Sequence, residues 1–286
     1  MIFRKIYYIT TFALLSGMAL HAMAQEKEYG LWGGFSHSFG DINATKNSFQ
    51  FAKPAGGIFF RYNKNDRIAY YFGAAYGSTY GEDAVASDTF RLARNLSFKT
   101  SIFEFSTRLE FNFLPLDRTK ADEWFSPFMF IGINAYYFNP KAYYNDNWVE
   151  LQPLGTEGQQ FAELTGNDPY HRLQAAVPVG GGFKFIVGKN ITVGMEAAWH
   201  KLFTDYLDDV SGLYVDPAIL ASGTNGELVV ALADRSAEIL DAFPIGVNGK
   251  QRGDSHHNDS YAFAGVFVSY TFVNLKCPEP GGRKKR

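Results

Sequence analysis

SFKTSIFEFSTRLEFNF, residues 97–113, is the stretch that decides the fold. One parity of this stretch carries the apolar side chains Phe103, Phe105, Leu109, Phe111 and Phe113. The other parity carries the polar and charged side chains Glu104, Ser106, Arg108, Glu110 and Asn112. A period of two residues predicts a β-strand, and this one is longer than an ordinary strand. A soluble sandwich would bury the aromatic face, whereas a membrane barrel would turn it to lipid and the charged face to its lumen.

Seven further stretches alternate in the same way, and their connections favour the barrel. They span residues 29–39, 57–63, 67–80, 125–138, 172–187, 191–204 and 260–272. The predicted connections after the second, fourth and sixth strands are short, and the other connections are long. Short turns on one rim and long loops on the other are typical of outer-membrane barrels. We therefore predict an all-β fold, an eight-stranded antiparallel outer-membrane β-barrel with long extracellular loops, and keep a soluble β-sandwich as the alternative.

The longest loop is predicted to be partly helical. Asp216 followed by Pro217 is typical of a helix N-cap and first turn. Residues 225–240 form a second candidate helix, with an apolar face made of Leu228, Val229, Leu232, Ile239 and Leu240. We expect this loop to fold into a small cap over the barrel.

The two ends of the chain predict targeting and topology. Arg4 and Lys5, an apolar run over 6–20 and the sequence Ala-Met-Ala at 22–24 are typical of a signal peptide. An uncleaved anchor is the alternative. We predict a signal peptide at 1–24, a barrel with its loops at 25–273 and a periplasmic tail at 274–286. An even number of strands places both termini in the periplasm.

Composition restricts the class of protein. Aromatic residues make up 17% of the chain, with 27 Phe and 17 Tyr, and the net charge is −2. The mean hydropathy of −0.17 is compatible with a barrel, because lumen residues dilute the apolar ones. A charge so close to neutral does not favour nucleic-acid binding. The mature chain holds one cysteine, Cys277, so it forms no internal disulfide.

The charged face of the central strand predicts a charge cluster in the lumen. An arginine that faces mid-bilayer lipid costs about 2–4 kcal/mol. We therefore expect Arg108 to point inward and to pair with Glu104, Glu110 or Glu196. The sequence also predicts a filled lumen, because eight strands leave room only for side chains.

No set of residues predicts catalysis or a bound metal. Asp205, Asp208 and Asp209 could in principle hold Ca²⁺, but they lack the EF-hand pattern, and turn capping with pairing to nearby arginines is favoured. His200 faces the predicted lumen near the outer rim, and some small barrels are lipid-modifying enzymes built on such a histidine. No nucleophile motif such as G-x-S-x-G accompanies it. We predict no enzyme, cofactor, metal or small-molecule substrate.

Several blocks carry a family resemblance. They are RLARNLSF (91–98), PLGTEGQ (153–159), TDYLDDVSGLYVD (204–216), Arg252-Gly253 ahead of an Asp-x-Tyr strand, and Cys277-Pro278. Together they resemble the PorG family, the DUF6089 group of outer-membrane barrels tied to the type IX secretion system and gliding motility. The resemblance implies an integral outer-membrane component that contacts a periplasmic ring made of a lipoprotein and its partner. A passive structural or adhesive barrel is the alternative function, and a lipid-modifying barrel enzyme is the third.

Two groups of residues are predicted to serve this function. The first, a loop cap at the outer rim, contains Thr156, Glu157, Gln159, Asp205, Asp208, Asp209 and Arg252. Arg91, Arg94 or Arg252 would supply the cations for Asp208 and Asp209. The second is the tail, where Cys277 and the basic Lys276 would contact a periplasmic partner, since a lone exposed thiol in an oxidising compartment tends to pair between molecules. The partners are thus outer-membrane lipid and the ring proteins.

Overall fold

A closed antiparallel sheet forms the body of the molecule. The computed structural model describes residues 26–42, 49–240 and 244–272. Its strands are β1 (Glu26–Phe39), β2 (Lys53–Asn63), β3 (Ile68–Glu82), β4 (Ser97–Asn112), β5 (Phe125–Tyr144), β6 (Asn147–Glu150), β7 (Leu173–Val187), β8 (Ile191–Leu202) and β9 (Ser260–Phe272). The predicted signal peptide and the tail hypothesis, including Lys276 and Cys277, lie outside the described residues.

Eight of these strands close into a barrel. Each pairs antiparallel with its neighbour along the chain, β5 pairs with β7, and β9 pairs with β1 from Lys27↔Phe272 to Phe39↔Ser260. The ninth strand, β6, pairs with the end of β5 and takes no part in closure. The predicted fold class, an all-β, eight-stranded antiparallel barrel of the outer-membrane type, is confirmed.

The strand bounds differ from the predicted ones mainly at the loop end. β5 was predicted to end at residue 138, but it continues to Tyr144 and folds back on β6. β2 begins at Lys53 rather than at 57, and β8 ends at Leu202 rather than at 204. Tyr143 and Trp148 face each other across the β5–β6 hairpin, which extends this wall beyond the lipid-facing part of the strand.

The two rims differ in their connections. One rim, which we call the turn rim, carries the connections 64–67, 113–124 and 188–190 and both barrel ends, Glu26 and Phe272. The opposite loop rim carries the connections 40–52, 83–96, 145–172 and 203–259. The 113–124 connection is about as long as 40–52, so the sorting by length is less sharp than predicted. The sorting of the two longest loops to one rim holds.

The exterior of the barrel is an apolar belt. On every barrel strand the residues of one parity are exposed and mostly aliphatic or aromatic. They include Leu31, Phe35, Ile58, Phe72, Phe105, Leu109, Ile131, Ile133, Val179, Phe183, Met195 and Val266. Ile133 exposes 70% of its surface and Val266 exposes 63%. A contiguous apolar surface of this extent is unstable in water and matches the lipid-facing band of a membrane barrel.

The lumen is filled by aromatic side chains. Its apolar core contains Trp32, Phe59, Tyr71, Phe128, Phe130, Tyr136, Phe138, Tyr261, Phe263 and Phe267. Simple alternation predicts a polar lumen, but many of the inward residues are aromatic. Glycines make room for these rings: a β-carbon at Gly180 would come within 2.5 Å of the Phe130 ring. The Gly180–Gly182 run thus allows β7 to pack closely against the neighbouring strands and the Phe130 ring.

Short helices belong to the loops. They are α1 (Thr89–Arg94), α2 (Ala162–Thr165), α3 (Pro217–Ala221), α4 (Gly226–Ala233) and α5 (Ala237–Leu240). Asp216 caps α3 by accepting a hydrogen bond from Ala218 N at 2.8 Å. The helix predicted over 225–240 is broken in two, because Asp234 folds back to accept hydrogen bonds from the Ser236 amide and hydroxyl. Among the described residues, no helix is long and apolar enough to cross a membrane.

The cap helices are attached to the barrel by a second apolar cluster. It joins Val229 and Leu232 of α4 and Leu220 of α3 to Leu151 and Leu154 of the β5–β7 loop. Of the predicted apolar face, Val229 and Leu232 are buried, Leu228 is half-buried, and Ile239 is exposed. The cap is therefore a packed unit that contains residues from both long loops.

A heat-modifiable barrel is the first expectation. Detergent-solubilised protein should migrate differently on gels before and after boiling. The closed barrel has no unpaired strand edge, so it stays folded in detergent until heat separates its strands. Extraction with alkaline buffer should leave the protein in the membrane pellet. Full recovery in the soluble fraction, with equal migration of the two samples, would contradict the membrane barrel.

Candidate functional site

A group of buried ion pairs ties four strands together near the turn rim. Arg61 of β2 lies with Nη1 2.9 Å from Glu28 Oε1 and Nε 2.7 Å from Glu110 Oε2. Lys184 Nζ of β7 lies 2.6 Å from the same Glu110 oxygen. Glu28 also accepts a hydrogen bond from Ser269 of β9, across the closing seam. Because Arg61 is wholly buried, each of these contacts takes place away from water.

A second charged group lies farther toward the loop rim. Arg108 Nη1 is 3.0 Å from Glu196 Oε1, and Arg108 Nη2 is 3.8 Å from Glu104 Oε1. The lumen thus contains all four residues of the predicted charge cluster. Arg108 contacts two of its three predicted partners, whereas Glu110 pairs with Arg61 and Lys184 instead.

Aromatic rings take the place of water around these cations. The Arg61 guanidinium lies 4.8 Å from the Phe59 ring centroid and 5.1 Å from that of Phe267. Arg108 lies between Tyr71 and Phe130, at 4.5 and 4.6 Å. Cation–π attraction strengthens when the cation is desolvated, so these rings stabilise the charged state.

The sequence reasoning missed Arg61, Lys184 and Glu28. A signal was present, because a charged residue at the depth of the lipid hydrocarbon is expected to face inward. Glu28 precedes the predicted start of its strand at residue 29, whereas β1 begins at Glu26. Arg61 and Lys184 lie within predicted strands whose alternation is less regular than that of residues 97–113.

His200 is a packed lumen residue. Its ring stacks on Tyr261, with centroids 4.3 Å apart and an interplanar angle of 10°. Its Nε2 lies 3.3 Å from Glu104 Oε2, which accepts hydrogen bonds from Tyr261 Oη at 2.5 Å and Asn134 Nδ2 at 2.8 Å. The His200 side chain is fully buried. This histidine–carboxylate pair is thus part of the packed lumen.

Glu157 is the centre of the loop cap. Its Oε1 lies 2.8 Å from Arg252 Nη1 and accepts a hydrogen bond from Ser211 N at 2.9 Å. Gly212 N and Tyr206 Oη donate to Oε2 at 3.2 and 3.3 Å. The Glu157 amide in turn donates to Gln159 Oε1 at 3.0 Å. One buried carboxylate thus joins the β5–β7 loop to two separate parts of the β8–β9 loop.

Asp209 is held by hydroxyl groups. Thr156 Oγ1 and Tyr170 Oη each donate to its carboxylate at 2.6 Å. Arg252 Nη1 donates to the Asp209 carbonyl oxygen at 2.8 Å, and Arg252 Nε donates to the carbonyl of Ala233 at the end of α4 at 3.1 Å. The residue adopts a positive φ of 67°, a strained conformation that these contacts over-determine.

Two of the predicted arginines lie close enough to Asp208 and Asp209 to act on them, but their ion pairs are with other acids. Arg94 opposes the rise in the pKa of Asp208, and Arg252 opposes that of Asp209. Arg252 forms its ion pair with Glu157, and Arg94 Nε lies 2.7 Å from Asp83 Oδ2. Asp208 instead accepts backbone hydrogen bonds from Ile42 N at 3.0 Å and Val210 N at 3.1 Å. The Asp208 carboxylate thus caps loop backbone, the Asp209 carboxylate accepts hydroxyl hydrogen bonds, and the two arginines form ion pairs with acids from other parts of the cap.

A group of acids is buried beneath the cap at unfavourable electrostatic cost. It contains the buried Asp205, Asp208 and Asp259 and the half-buried Asp41, where β1, β8 and β9 meet their loops. The pKa of Asp205 is raised to about 8, mainly by burial; a hydrogen bond with Ser211 opposes this rise, and the Asp41 and Asp208 carboxylates contribute to it. Burial also raises the pKa of Asp208 to about 7 and that of Asp209 to about 6.

These acids do not form a compact cation site. In the part of the chain that the structure describes, the one trio of acids whose ligand oxygens all lie within 4.8 Å is Asp66, Asp117 and Glu123 at the turn rim. Lys120 Nζ lies 2.9 Å from Glu123 and 3.4 Å from Asp117, so a cation already compensates that trio. No metal ligand is assigned.

The cap blocks coincide with a family match. A family model described as "Domain of unknown function (DUF6089)" matches residues 4–214. The chain belongs to this family. The match includes Glu157 and Asp209 and ends before Arg252. No curated protein sequence matches this chain.

Solved structures similar to the chain are outer-membrane proteins. The attachment invasion locus protein Ail of Yersinia pestis is 9% identical, with 87% of this chain and 100% of that chain covered and a TM-score of 0.40. A major outer membrane protein from Thermus thermophilus gives the same four values. The N-terminal β-barrel domain of Pseudomonas aeruginosa OprF is 10% identical, with 88% and 100% covered and a TM-score of 0.35. Values this low carry no argument about function, which must come from this chain's own residues.

The Arg61 contacts generate a stability prediction. Arg61→Leu should lower the free energy of unfolding by about 3–5 kcal/mol, because Glu28 and Glu110 lose a buried partner. The measurement is the denaturant midpoint of the heat-modifiable form in detergent.

Lys64→Ala, in the exposed 64–67 turn, is the control and should change stability by less than about 0.5 kcal/mol. Equal effects of the two substitutions would contradict an energetic role for the lumen ion pairs.

The acids under the cap generate a pH prediction. The pKa of Asp205 is raised from 3.8 to about 8, so between these values the folded cap holds a proton that the unfolded loop releases. Cap stability should therefore fall as the pH rises from about 4 to about 8. Asp205→Asn mimics the protonated acid, and it should flatten this dependence and stabilise the cap at pH 8 by on the order of 2 kcal/mol.

Protease cleavage within 203–259 at pH 5 and pH 8 measures the effect. The exposed Asp168→Asn is the control and should leave the pH dependence unchanged. A cap cleaved more readily at pH 5 than at pH 8 would show that the sign is wrong.

Proposed function

We propose that this chain is an integral outer-membrane barrel that acts in the type IX secretion system through protein contacts and performs no catalysis. The observation that carries the proposal is the closed interior: a lumen filled with aromatic rings and ion pairs, beneath a packed cap. A barrel whose lumen offers neither an open channel nor an accessible pocket with reactive groups acts through its outer surfaces.

The filled lumen argues against a channel role. Phe128, Phe130 and Phe267 occupy the same cross-sections as the Arg61 and Arg108 groups. Buried ion pairs of this kind are costly to break, so the lumen is a structural core. Glu157 and Arg252 seal the loop rim above it.

The apolar belt on the exterior supports insertion of the barrel in the outer membrane. Lipid accommodates the exposed aliphatic and aromatic exterior, and closure leaves no unpaired strand edge. We place the loop rim on the cell exterior and the turn rim, with both barrel ends, in the periplasm. In this orientation the turn rim is the surface available to a periplasmic ring.

The resemblance of the TEGQ and TDYLDDVS blocks to secretion-associated barrels supports the choice of machine. These blocks hold the cap together through Glu157 and Asp209, so they serve the fold rather than a contact in the periplasm. We therefore assign the partner contact to the turn rim and to the tail with Lys276 and Cys277. The ring lipoprotein and its partner are the proposed neighbours.

A gene deletion tests the function. Loss of the protein should cause secreted cargo to accumulate in the periplasm, measured by fractionation and immunoblotting. Normal secretion accompanied by altered surface adhesion would instead support the passive structural or adhesive barrel.

Complementation separates the two rims. Lys64→Glu combined with Lys189→Glu reverses two exposed charges in turn-rim connections, and it should restore barrel levels but not secretion. The matched control, Glu163→Lys with Asp168→Lys on the exposed loop rim, should restore both. Secretion that fails only with the loop-rim pair would contradict the assignment of the contact to the turn rim.

A further inference from the structure

Three cations gather on the outside of the barrel close to the loop rim. Lys99 of β4 and Lys141 of β5 have the outward parity of their strands, and Arg172 precedes β7. Arg172 Nη1 donates to the outward Tyr137 Oη at 3.3 Å and Asn139 Oδ1 at 3.0 Å. We call Lys99, Lys141 and Arg172 the exterior basic patch.

The pairing register places two of these charges directly opposite each other. Lys99 pairs with Lys141 in the β4–β5 ladder. Like charges on directly opposed residues destabilise a sheet. The pair therefore weakens the barrel unless an anion lies against this face.

The protein itself supplies only part of the negative charge needed to compensate these cations. Glu150 of β6 lies 3.1 Å from Lys141 Nζ and 3.0 Å from Arg172 Nη1. Asn139 donates a hydrogen bond to Glu150, and this bond together with the two cations lowers the Glu150 pKa to about 2. Lys99 Nζ lies 5.2 Å from the centroid of the Trp148 ring. Three cations and one carboxylate leave a net charge of about +2 on a partly preorganised surface.

The patch lies at the height of the lipid headgroups. Below it, the outward residues of β4 and β5 from Phe111 and Met129 up to Phe103 are apolar apart from Thr107. The residues from Phe111 to Phe103 rise about 20 Å along the membrane normal, at about 3.3 Å per residue and a tilt of about 40°. Lys99 follows about 10 Å higher, where the hydrocarbon ends.

Amphipathic aromatic side chains frame the patch. They are Tyr76, Tyr137, Tyr143 and Trp148, and each exposes more than two fifths of its surface. Rings of this type concentrate at the boundary between hydrocarbon and headgroup. The combination of aromatic ring, cation and carboxylate marks an interfacial site rather than a surface that water alone covers.

We propose that the exterior basic patch binds the phosphate group of a phosphorylated glycolipid in the outer leaflet. Phosphate oxygens would approach Lys99 and Lys141 between the aromatic rings, with the acyl chains along the apolar belt below. The depth of the patch rests on the orientation proposed above, with the loop rim outside. A lipid held at this level would fix the height and rotation of the barrel around its axis.

Lipid binding to the purified, refolded barrel in detergent tests the site. Diphosphorylated lipid A, added at graded concentrations, should raise the thermal midpoint of the barrel and appear as a bound adduct in native mass spectra. Lys99→Gln with Lys141→Gln should weaken binding about 25-fold, since each basic residue near an anionic surface contributes about fivefold. Lys201→Gln, an exposed outward lysine at the loop end of β8, is the control and should retain binding.

Glu150→Gln provides a readout that a merely structural role would not give. Removal of the competing carboxylate should tighten lipid A binding about fivefold, although the substitution breaks two ion pairs. Equal or weaker binding by this variant would overturn the proposal.

Three further probes distinguish the source of the phosphate. Dephosphorylated lipid A should not bind above the control level. Inorganic phosphate or phosphatidylglycerol that stabilises the barrel as well as lipid A would overturn the assignment to a glycolipid. These measurements use isolated protein, so a failure here leaves the secretion role intact, and a secretion defect without lipid binding refutes this site alone.

Discussion

Closure of the sheet between β1 and β9 is the constraint on which the rest of the structure depends. Lipid offers no hydrogen bonds, so a spanning sheet is stable only if its last strand returns to its first. Closure then fixes the facing of every residue, because strict alternation turns one parity to lipid and the other to a narrow interior. The contact from Ser269 to Glu28 crosses this seam and connects it to the Arg61 ion pairs. The ladder and the lumen network therefore stabilise the same junction from two sides.

The narrow interior explains why charges and rings alternate within it. Eight strands enclose too little space for water to solvate Arg61 or Arg108. Carboxylates neutralise each guanidinium, and aromatic faces occupy the remaining directions. Removal of one member would leave the others desolvated and unpaired, which is more costly than the pair is stabilising. Such an interior is a densely packed structural core.

The alternation in residues 97–113 was sufficient to predict the strand, its facing and the inward position of Arg108, because lipid penalises every other arrangement. It was not sufficient for Arg61 and Lys184, whose strands have less regular patterns. Partner choice also escaped prediction: Glu110 lies two positions from Arg108 but pairs across the lumen, since registers between distant strands decide the distances. In the cap, Arg252 forms its ion pair with Glu157 and not with Asp208 or Asp209, because the folding of two long loops brings Arg252 and Glu157 together. Local sequence patterns do not predict such a pairing between distant loops.

The molecule divides its stability unequally between barrel and cap. The ladders and the ion pairs hold the barrel, whereas the cap depends on Glu157 and Asp209 as polar junctions between its loops and on Leu151 and Leu154 for its apolar contact. Against these contacts stand Asp205 and Asp208, which are buried where their charged forms are unfavourable. A segment that combines stabilising contacts with unfavourably buried acids should unfold locally at a lower free-energy cost than the strands of the barrel wall. The loop rim is therefore the adjustable part of the protein, and the wall beneath it is the part that holds a fixed position in the membrane.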